Sequence, residues 1–300
     1  MSGQPDRALR SLLFVPGDSD KKLAKVAGCG ADAVILDLED AVAPAHKLAA
    51  RERVAQFLRG FDRAAEGAPE LWVRINPLDS GLAESDLAAI VPARPDGIMQ
   101  PKPDGPADVA KVSSLLDHME LAHGIRPGSI GIIPVATETA IAPFRLGDYA
   151  TAGLTRLRGL TWGAEDLAAA LGATGNRGAD GEWLFTYRMV RSMTLMAAHA
   201  AGVPAIETLH ADFRDEAGLL ASSRQALAEG FSGRLAIHPA QVGPINEGFT
   251  PSAEEVAFAR RVVAAFAAEP DAGTVGIDGK MFDIPHLKSA RRTLAAVGEG

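Results

Sequence analysis

The sequence has almost none of the residues that build disulfide scaffolds or thiolate metal sites. It contains a single cysteine, Cys29, in 300 residues. One thiol cannot form an internal disulfide, and it excludes a zinc site that needs several thiolates. A lone cysteine is also typical of proteins that work in a reducing compartment, so we expect a cytoplasmic location.

Long apolar runs and an excess of basic residues are lacking as well. The longest uncharged apolar stretch, at 192–206, is too short to cross a bilayer, and 1–10 has no apolar signal-peptide core. The formal net charge of −8 argues against a general affinity for nucleic acid or anionic membranes. We therefore expect neither nucleic acid nor a membrane as a partner.

Short apolar runs alternate with amphipathic segments along most of the chain. Eight runs have the length of strands buried on both faces: 12–15, 33–38, 71–75, 97–100, 130–135, 157–162, 205–209 and 235–237. Amphipathic segments that predict helices lie at 44–61, 107–123, 184–201 and 215–229. This alternation predicts an α/β fold, a closed (β/α)8 TIM barrel. A doubly wound open sheet is the main alternative, although no Gly-x-Gly-x-x-Gly follows the first strand.

The pattern changes after Pro251. Residues 253–268 and 285–297 predict two helices, and a turn-rich linker at 270–279 joins them. We therefore predict a barrel domain over residues 8–250 and a C-terminal helical extension over 251–300. The extension supplies no ninth barrel unit, so it is either a lid or an arm that packs on a neighbouring subunit.

Two carboxylates follow the fifth and sixth predicted strands. Glu138 and Asp166 should meet at the C-terminal face of the barrel, where (β/α)8 enzymes build their active sites. With few cations expected nearby they would repel, and a divalent cation relieves that repulsion. Mg²⁺ binds one or two protein carboxylates and completes its shell with water and substrate oxygens. No histidine cluster accompanies the pair, which disfavours zinc; the alternative for Asp166 is a helix cap.

Arg74 ends the third predicted strand. Its guanidinium group offers a fork of donors for a carboxylate or enolate oxygen at the same face. The alternative is a salt bridge to Glu39 or Asp40 on the neighbouring strand, and the two roles can coexist. Alternation along the strand sends Asp37 and Glu39 to one side and Asp40 to the other.

Three further polar residues leave alternatives open. Lys102 either neutralises acidic groups or forms a Schiff base, and nearby carboxylates favour the first role because they raise a lysine pKa. His238 precedes Pro239 and can cap the short helix that follows. Asp283 stands just before the last predicted helix, where a helix cap is as good an explanation as a function.

With these residues in place, the chain resembles the citrate lyase β-subunit-like group of the HpcH/HpaI aldolase superfamily, which includes malyl-CoA and citramalyl-CoA lyases. The resemblance runs from about residue 10 to residue 296. Its markers are RSLLFVPG at 10–17, ILDLEDAV at 35–42, VRINP at 73–77, ETA at 138–140, GAEDL at 163–167, IHPAQ at 237–241 and DGKMFD at 278–283.

The resemblance implies a (β/α)8 barrel in which Glu138 and Asp166 hold Mg²⁺. It further implies that a 2-oxo acid binds this metal, with Arg74 and the backbone around Ala164 and Glu165 completing the site. Glu39 is implied as an additional substrate-binding residue. Arg74 is also implied in catalysis, because its positive charge faces the place where negative charge develops.

The resemblance also implies that a coenzyme A thioester lies across the barrel opening. Phe14, Lys25, Ile237 and His238 match positions that contact the thioester in malyl-CoA lyase-like members. Asp283 matches a catalytic acid/base that such members supply from an adjoining subunit. A homo-oligomer, a trimer or hexamer, is therefore implied as well.

The implied activity is a Mg²⁺-dependent carbon–carbon lyase. It would cleave or form a 3-hydroxyacyl-CoA such as malyl-CoA or citramalyl-CoA, with an acyl-CoA and a 2-oxo acid as the other side of the reaction. Four alternatives stay open: an aldolase acting on free hydroxy-oxo acids, a malyl-CoA thioesterase, a citrate lyase β subunit acting on an acyl carrier protein, and a non-catalytic metabolite-binding subunit.

Overall fold

Eight parallel strands alternate with helices in the computed structural model, which describes residues 9–299. The strands are β1 Ser11–Pro16, β2 Ala33–Asp37, β3 Glu70–Arg74, β4 Gly97–Gln100, β5 Gly131–Pro134, β6 Leu160–Thr161, β7 Ala205–Glu207 and β8 Gly233–Ala236. The helices between and after them are α1 Asp20–Leu23, α2 Lys47–Gly60, α3 Ala83–Ile90, α4 Pro106–Ala122, α5 Ala164–Ala170, α6 Phe185–Ala200, α7 Glu216–Glu229 and α8 Val242–Gly248.

The strands close into a barrel. Their order in the sheet is β5-β4-β3-β2-β1-β8-β7-β6, all parallel. Parallel bridges from Ile132 to Leu157 and from Val135 to Thr161 join the two ends of that sheet. The predicted (β/α)8 TIM barrel is confirmed, and the open doubly wound sheet is not formed. The fifth connection departs from the pattern, because a 3₁₀ helix at Ala142–Ala150 stands where a regular α-helix would be expected.

Two apolar layers hold the barrel together. Inward-pointing residues, among them Ile35, Trp72 and Ile133, fill its interior, and a larger cluster packs the outside of the strands against the helices. Gly97 makes room for the indole of Trp72, because a Cβ atom at this position would lie 2.1 Å from Trp72 Cζ3. The interior is therefore a packed core, and ligands can reach only the ends of the barrel.

The C-terminal segment has its own core. Helices α9 Ala253–Ala268 and α10 Ile284–Ala295 pack on each other and on strands β9 Thr274–Ile277 and β10 Lys280–Asp283. The prediction of a plain linker at 270–279 is wrong: β9 and β10 form an antiparallel hairpin. Its two-residue turn, Asp278-Gly279, has positive φ at both positions, 51° and 77°, as hairpin turns of this length require.

The predicted domain limits fall partly outside the described residues, since residues 8 and 300 are not among them. The division near Pro251 stays a prediction, and the separate apolar core that begins after it is in keeping with that division. Within residues 9–299 no helix combines the length and apolar character needed to span a bilayer.

Candidate functional site

The predicted barrel residues meet at the rim formed by the C-terminal ends of the strands, here called the mouth. Arg74 is the last residue of β3, and Glu39 follows β2 by two residues. Lys102 and Glu138 follow β4 and β5, and Asp166 lies in the first turn of α5, directly after β6. Parallel strands bring these ends together although the residues are far apart in sequence.

Arg74 is held from three sides. Its Nε and Nη2 atoms donate to Asp37 Oδ1 and Oδ2 at 2.8 and 2.6 Å. Nη1 lies 2.9 Å from Glu39 Oε2, and the guanidinium carbon lies 4.7 Å from the centre of the Phe14 ring. Burial opposes the charge, but the hydrogen bond and charge of Asp37, with Glu39 and Glu138, raise the pKa of Arg74. Arg74 therefore forms a salt bridge to the neighbouring strand and also lies at the mouth, so its two predicted roles are compatible.

Asp37 belongs to the site, a role that the sequence analysis did not assign to it. It is buried, and the backbone N–H groups of Glu39 and Ala41 donate to its two oxygens at 2.9 and 3.2 Å. The β2–β3 register places Asp37 opposite Arg74. The predicted strand order made β2 and β3 neighbours, but the register that selects Asp37 as the partner is seen only in the structure.

Lys102 lies between the carboxylates. Its Nζ atom lies 2.5 Å from Glu39 Oε1, 3.3 Å from Asp40 Oδ2 and 3.2 Å from Asp166 Oδ1. Burial opposes the charge, but the hydrogen bond to Glu39 and the charges of Glu39, Asp166 and Glu138 raise the pKa of Lys102. The expectation of few cations near Glu138 and Asp166 is thus wrong, and Lys102 has the neutralising role rather than that of a Schiff base.

Glu138 is the more buried member of the pair, with 5% of its surface exposed. Its Oε2 atom accepts the backbone N–H of Lys102 at 2.7 Å. Burial, followed by the charges of Asp166 and Glu39, raises the pKa of Glu138 to about 8. Gly163 permits this packing, because a Cβ atom there would lie 2.8 Å from Glu138 Cγ. Asp166 is half-buried and does not cap α5, whose N-cap residue is Gly163.

The donor set at the mouth fits a hard divalent cation. Five carboxylates, those of Asp37, Glu39, Asp40, Glu138 and Asp166, face three cationic side chains, those of Arg74, Lys47 and Lys102. The carboxylates outnumber the cationic side chains, and a cation bound at Glu138 would take the place of the proton that its raised pKa of about 8 retains. Residues 9–299 contain no cluster of three or more His, Cys, Asp or Glu side chains suited to a metal. Glu138 and Asp166 would thus hold Mg²⁺ with water and ligand oxygens.

Two of the residues implied in thioester binding lie at the same mouth. Phe14 is near the end of β1 with its ring beside Arg74, and Ile237 is 40% exposed after β8. Lys25 is exposed after α1, and no side-chain contact within residues 9–299 connects it to the mouth. His238 caps the turn that follows it, as expected, because its Nδ1 atom accepts the N–H of Ala240 at 3.2 Å. The sequence analysis missed Phe213, whose ring stacks on His238 at a centroid distance of 4.6 Å.

The remaining substrate-binding candidates, Ala164 and Glu165, are the first two residues of α5; Ala164 is buried and Glu165 is exposed. A groove of about 880 Å³ opens at the mouth and is lined by Glu138, Lys102 and Thr139, among others, but not by Ala164 or Glu165. Its size suits a small organic ligand.

Asp283 is not brought to this mouth by contacts within the described chain. It ends β10, stands at the N-cap position of α10 and is exposed. Its Oδ1 atom lies 2.5 Å from His286 Nδ1, and this hydrogen bond lowers the pKa of Asp283. The helix-cap alternative therefore has structural support, and the catalytic role of Asp283 stays a prediction.

A sequence profile of the HpcH/HpaI aldolase/citrate lyase family matches residues 10–239. A mitochondrial citramalyl-CoA lyase of Rattus norvegicus is 36% identical over 293 residues, which cover 94% of this chain and 84% of the relative. A (3S)-malyl-CoA thioesterase of Cereibacter sphaeroides is 34% identical over 295 residues, covering 95% of this chain and 93% of that protein.

Among solved structures, CitE of Mycobacterium tuberculosis in complex with magnesium, acetoacetate and coenzyme A superposes with a TM-score of 0.79. It is 35% identical, and the match covers 98% of this chain and 99% of that chain. Since the family profile and these relatives span most or nearly all of the sequence, the chain belongs to the HpcH/HpaI aldolase/citrate lyase family and is a lyase.

Proposed function

We propose that this lyase is Mg²⁺-dependent and cleaves or forms a 3-hydroxyacyl-CoA such as malyl-CoA or citramalyl-CoA. The other side of the reaction is an acyl-CoA and a 2-oxo acid. The observation that carries the proposal is the placement of the Arg74 guanidinium group beside the Glu138–Asp166 pair at one mouth, with Glu39 and Lys102 between them. The related CitE structure with magnesium, acetoacetate and coenzyme A supports it.

Glu138 and Asp166 are the residues that hold the metal in this proposal. Mg²⁺, when bound there, supplies Lewis-acid polarisation of the oxo group. Glu138 follows β5 and Asp166 lies in the first turn of α5, after β6, so the neighbouring strands of the barrel fix the positions from which the pair would hold the cation. Burial of Glu138 keeps bulk water away from one side of this position.

Arg74 stabilises the negative charge that develops on the thioester oxygen when the carbon–carbon bond breaks. A guanidinium group has five N–H donors. Asp37 accepts from Nε and from one N–H of Nη2, and Nη1 lies 2.9 Å from Glu39 Oε2 as an ion pair without hydrogen-bond geometry. The second N–H of Nη2 and the N–H groups of Nη1 are therefore available to a ligand, and because Asp37 fixes the plane of the group, these donors are oriented before the substrate arrives.

Asp283 is proposed as the acid/base: as the carboxylate, which its lowered pKa favours, it removes the proton from the acyl carbon in the condensation direction, and in the cleavage direction the same group returns that proton. Within one chain its hydrogen-bond partner is His286, in its own C-terminal unit. We therefore place Asp283 of one chain over the mouth of another, where the unit also limits access of water.

An exposed apolar surface supports a homo-oligomer, and a trimer or hexamer is the assembly proposed. Phe144 on the 3₁₀ helix Ala142–Ala150 and Phe185 on α6 are 80% and 71% exposed, and Ile141, Met189 and Met196 are exposed on the same two elements. The 3₁₀ helix and α6 pack on each other. Large exposed apolar surfaces of this kind commonly mark protein interfaces.

The activity is tested with purified protein, Mg²⁺ and three thioesters: malyl-CoA, citramalyl-CoA and β-methylmalyl-CoA. We expect release of a 2-oxo acid from at least one of them. No turnover of any, together with no binding of the CoA esters, contradicts the proposal. The variant Asp283→Asn should lose turnover while it keeps its divalent-cation affinity.

The same assay separates the alternatives. Free CoA without a 2-oxo acid identifies a thioesterase, the activity named for the Cereibacter sphaeroides relative. Turnover of free hydroxy-oxo acids alone identifies an aldolase, and turnover only on an acyl carrier protein identifies a citrate lyase β subunit. A cytoplasmic location stays a prediction, and the rat relative is mitochondrial by name.

A further inference from the structure

Lys102 contacts both the proposed metal-holding pair and the carboxylate beside Arg74. Its backbone N–H donates to Glu138 Oε2 at 2.7 Å, and its Nζ atom lies 3.2 Å from Asp166 Oδ1. The same Nζ atom lies 2.5 Å from Glu39 Oε1, and the other oxygen of Glu39 faces Arg74. One residue thus contacts both members of the proposed metal pair and the carboxylate that orients the arginine.

The backbone of Lys102 makes this double contact possible. It stands between two prolines, Pro101 and Pro103, with φ at 51°. This left-handed region is unfavourable for an L-residue and persists only where the surroundings enforce it. In this conformation the N–H is directed to Glu138 and the side chain reaches Glu39. The carboxylates of the mouth are therefore what holds the loop after β4 in place.

The ammonium group and a divalent cation would oppose each other at Asp166. Two positive charges on the same carboxylate lie close enough to repel strongly in a partly buried site. Lys102 has other partners, because Glu39 Oε1 and Asp40 Oδ2 lie within 3.3 Å of the same Nζ atom. It can therefore release Asp166 and still be neutralised.

We propose that Lys102 competes with the divalent cation for Asp166. Its ammonium group neutralises Asp166 when the cation is absent and withdraws onto Glu39 and Asp40 when the cation binds. Lys102 acts on the metal through Asp166, so it is a positioning residue. The inference rests on the proposed function, in that it takes Glu138 and Asp166 as the metal-holding pair.

The test measures binding of Mn²⁺ as the probe to metal-free protein, by calorimetry or by electron paramagnetic resonance of free Mn²⁺. In Lys102→Met a side chain of similar length lacks the competing charge, so the dissociation constant should fall about tenfold. Lys288→Met is the matched control, because Lys288 is an exposed lysine on α10 and does not line the groove at Glu138; its dissociation constant should equal that of the wild type. An unchanged or higher dissociation constant in Lys102→Met overturns the inference.

Thermal unfolding gives a second readout that does not depend on turnover. The rise in melting temperature on moving from EDTA to saturating MgCl₂ should be larger in Lys102→Met than in the wild type, because tighter binding to the native state raises stability more. An equal or smaller rise overturns the inference. Both measurements apply to the full chain and also detect a variant that fails to fold.

The outcome separates this inference from the proposed function. If the wild type binds no Mn²⁺, or binds it as well as Glu138→Gln and Asp166→Asn do, the metal pair itself is wrong. If those two variants lose Mn²⁺ while Lys102→Met matches the wild type, only the role of Lys102 is wrong.

Discussion

Arg74 owes its orientation to a carboxylate on the neighbouring strand. Asp37 accepts two hydrogen bonds from the guanidinium group and two from backbone N–H groups, so its four contacts lock both residues. These contacts direct the remaining donors of Arg74 to one side. Asp37 therefore determines how precisely Arg74 is oriented toward an anionic ligand at the mouth, although Arg74 is the residue that contacts the ligand.

Replacing Asp37 by asparagine tests this dependence. We expect kcat/KM for the thioester to fall about 100-fold, because the guanidinium group loses its ionic partner and its fixed plane. The free energy of unfolding should fall by about 3–5 kcal/mol, the cost of breaking a buried pair. Asp20→Asn is the control, since Asp20 forms an exposed pair with Arg53 and should change both quantities little. Wild-type kcat/KM in Asp37→Asn contradicts the role of Asp37.

Glu138 makes the stability of the cation-free protein depend on pH. Its pKa is raised from 4.5 to about 8 in the folded chain, so the folded state holds a proton that the unfolded state releases between those values. The resulting stabilisation is fully present below pH 4.5 and is lost as the pH rises through 8.

Unfolding by urea in EDTA across this pH range measures the effect. Glu138→Gln should remove most of the decline in stability between pH 4.5 and 8. Glu66→Gln, a change at an exposed glutamate, should leave the decline as in the wild type. In the wild type, Mn²⁺ affinity should rise with pH up to about 8, because a proton competes with the cation below it. A pH-independent affinity would speak against this role of Glu138.

At the scale of elements, the alternation of strands and helices was predictable because strands buried on both faces are continuous apolar runs. The predicted ends agree with the structure to within one or two residues for β1 and β3. The predicted strand at 157–162 is instead the short β6, Leu160–Thr161, with Leu157 joined only by a bridge to Ile132. A closing strand is held by few ladder bonds, and apolarity alone does not reveal that.

The hairpin β9–β10 was not predicted, and the neutralising role of Lys102 was predicted without its particular partners. The Asp278-Gly279 pair is a strong hairpin signal, but its flanking strands are only four residues each and are largely exposed. Lys102 is 63 residues from Glu39 and 36 residues from Glu138 in sequence. Spacing does not reveal such a contact, and the folded barrel alone creates it.

The conformation of the hairpin turn can be tested by adding a single methyl group at Gly279. Gly279 has φ of 77°, where a Cβ atom costs about 1–2 kcal/mol. Gly279→Ala should therefore destabilise the C-terminal unit by about 1 kcal/mol and lower turnover, because β10 carries Asp283. Gly273→Ala, in open space nearby, should change neither. Hydrogen exchange of the backbone amides in β9 and β10 measures the loss of stability. Equal protection of these amides in both variants would contradict the prediction.

At the scale of the whole molecule, the proposed catalytic set is divided between two chains. The barrel supplies Arg74, Glu138 and Asp166, and the C-terminal unit supplies Asp283. If each active site takes its barrel from one chain and its acid from another, two inactive variants should complement each other in a mixed assembly.

Mixing Arg74→Lys with Asp283→Asn is the corresponding experiment. After joint refolding of equal amounts, random assembly gives about a quarter of the sites an intact barrel and an intact acid. Turnover should therefore recover to about a quarter of the wild-type value. Each variant refolded alone is the control and should stay inactive. No recovery, in mixtures shown to be mixed by native mass measurement, would mean that barrel and acid come from one chain.

The separate core of residues 253–299 has a consequence for how such an assembly can arise. Helices α9 and α10 bury their apolar faces against each other and the hairpin, and the ion pairs of Arg260 and Arg261 close on Glu299 and Asp278 inside the same unit. The unit needs no barrel to complete its interior. The unit can be exchanged between chains, as in domain swapping, without exposing the apolar interior of either partner.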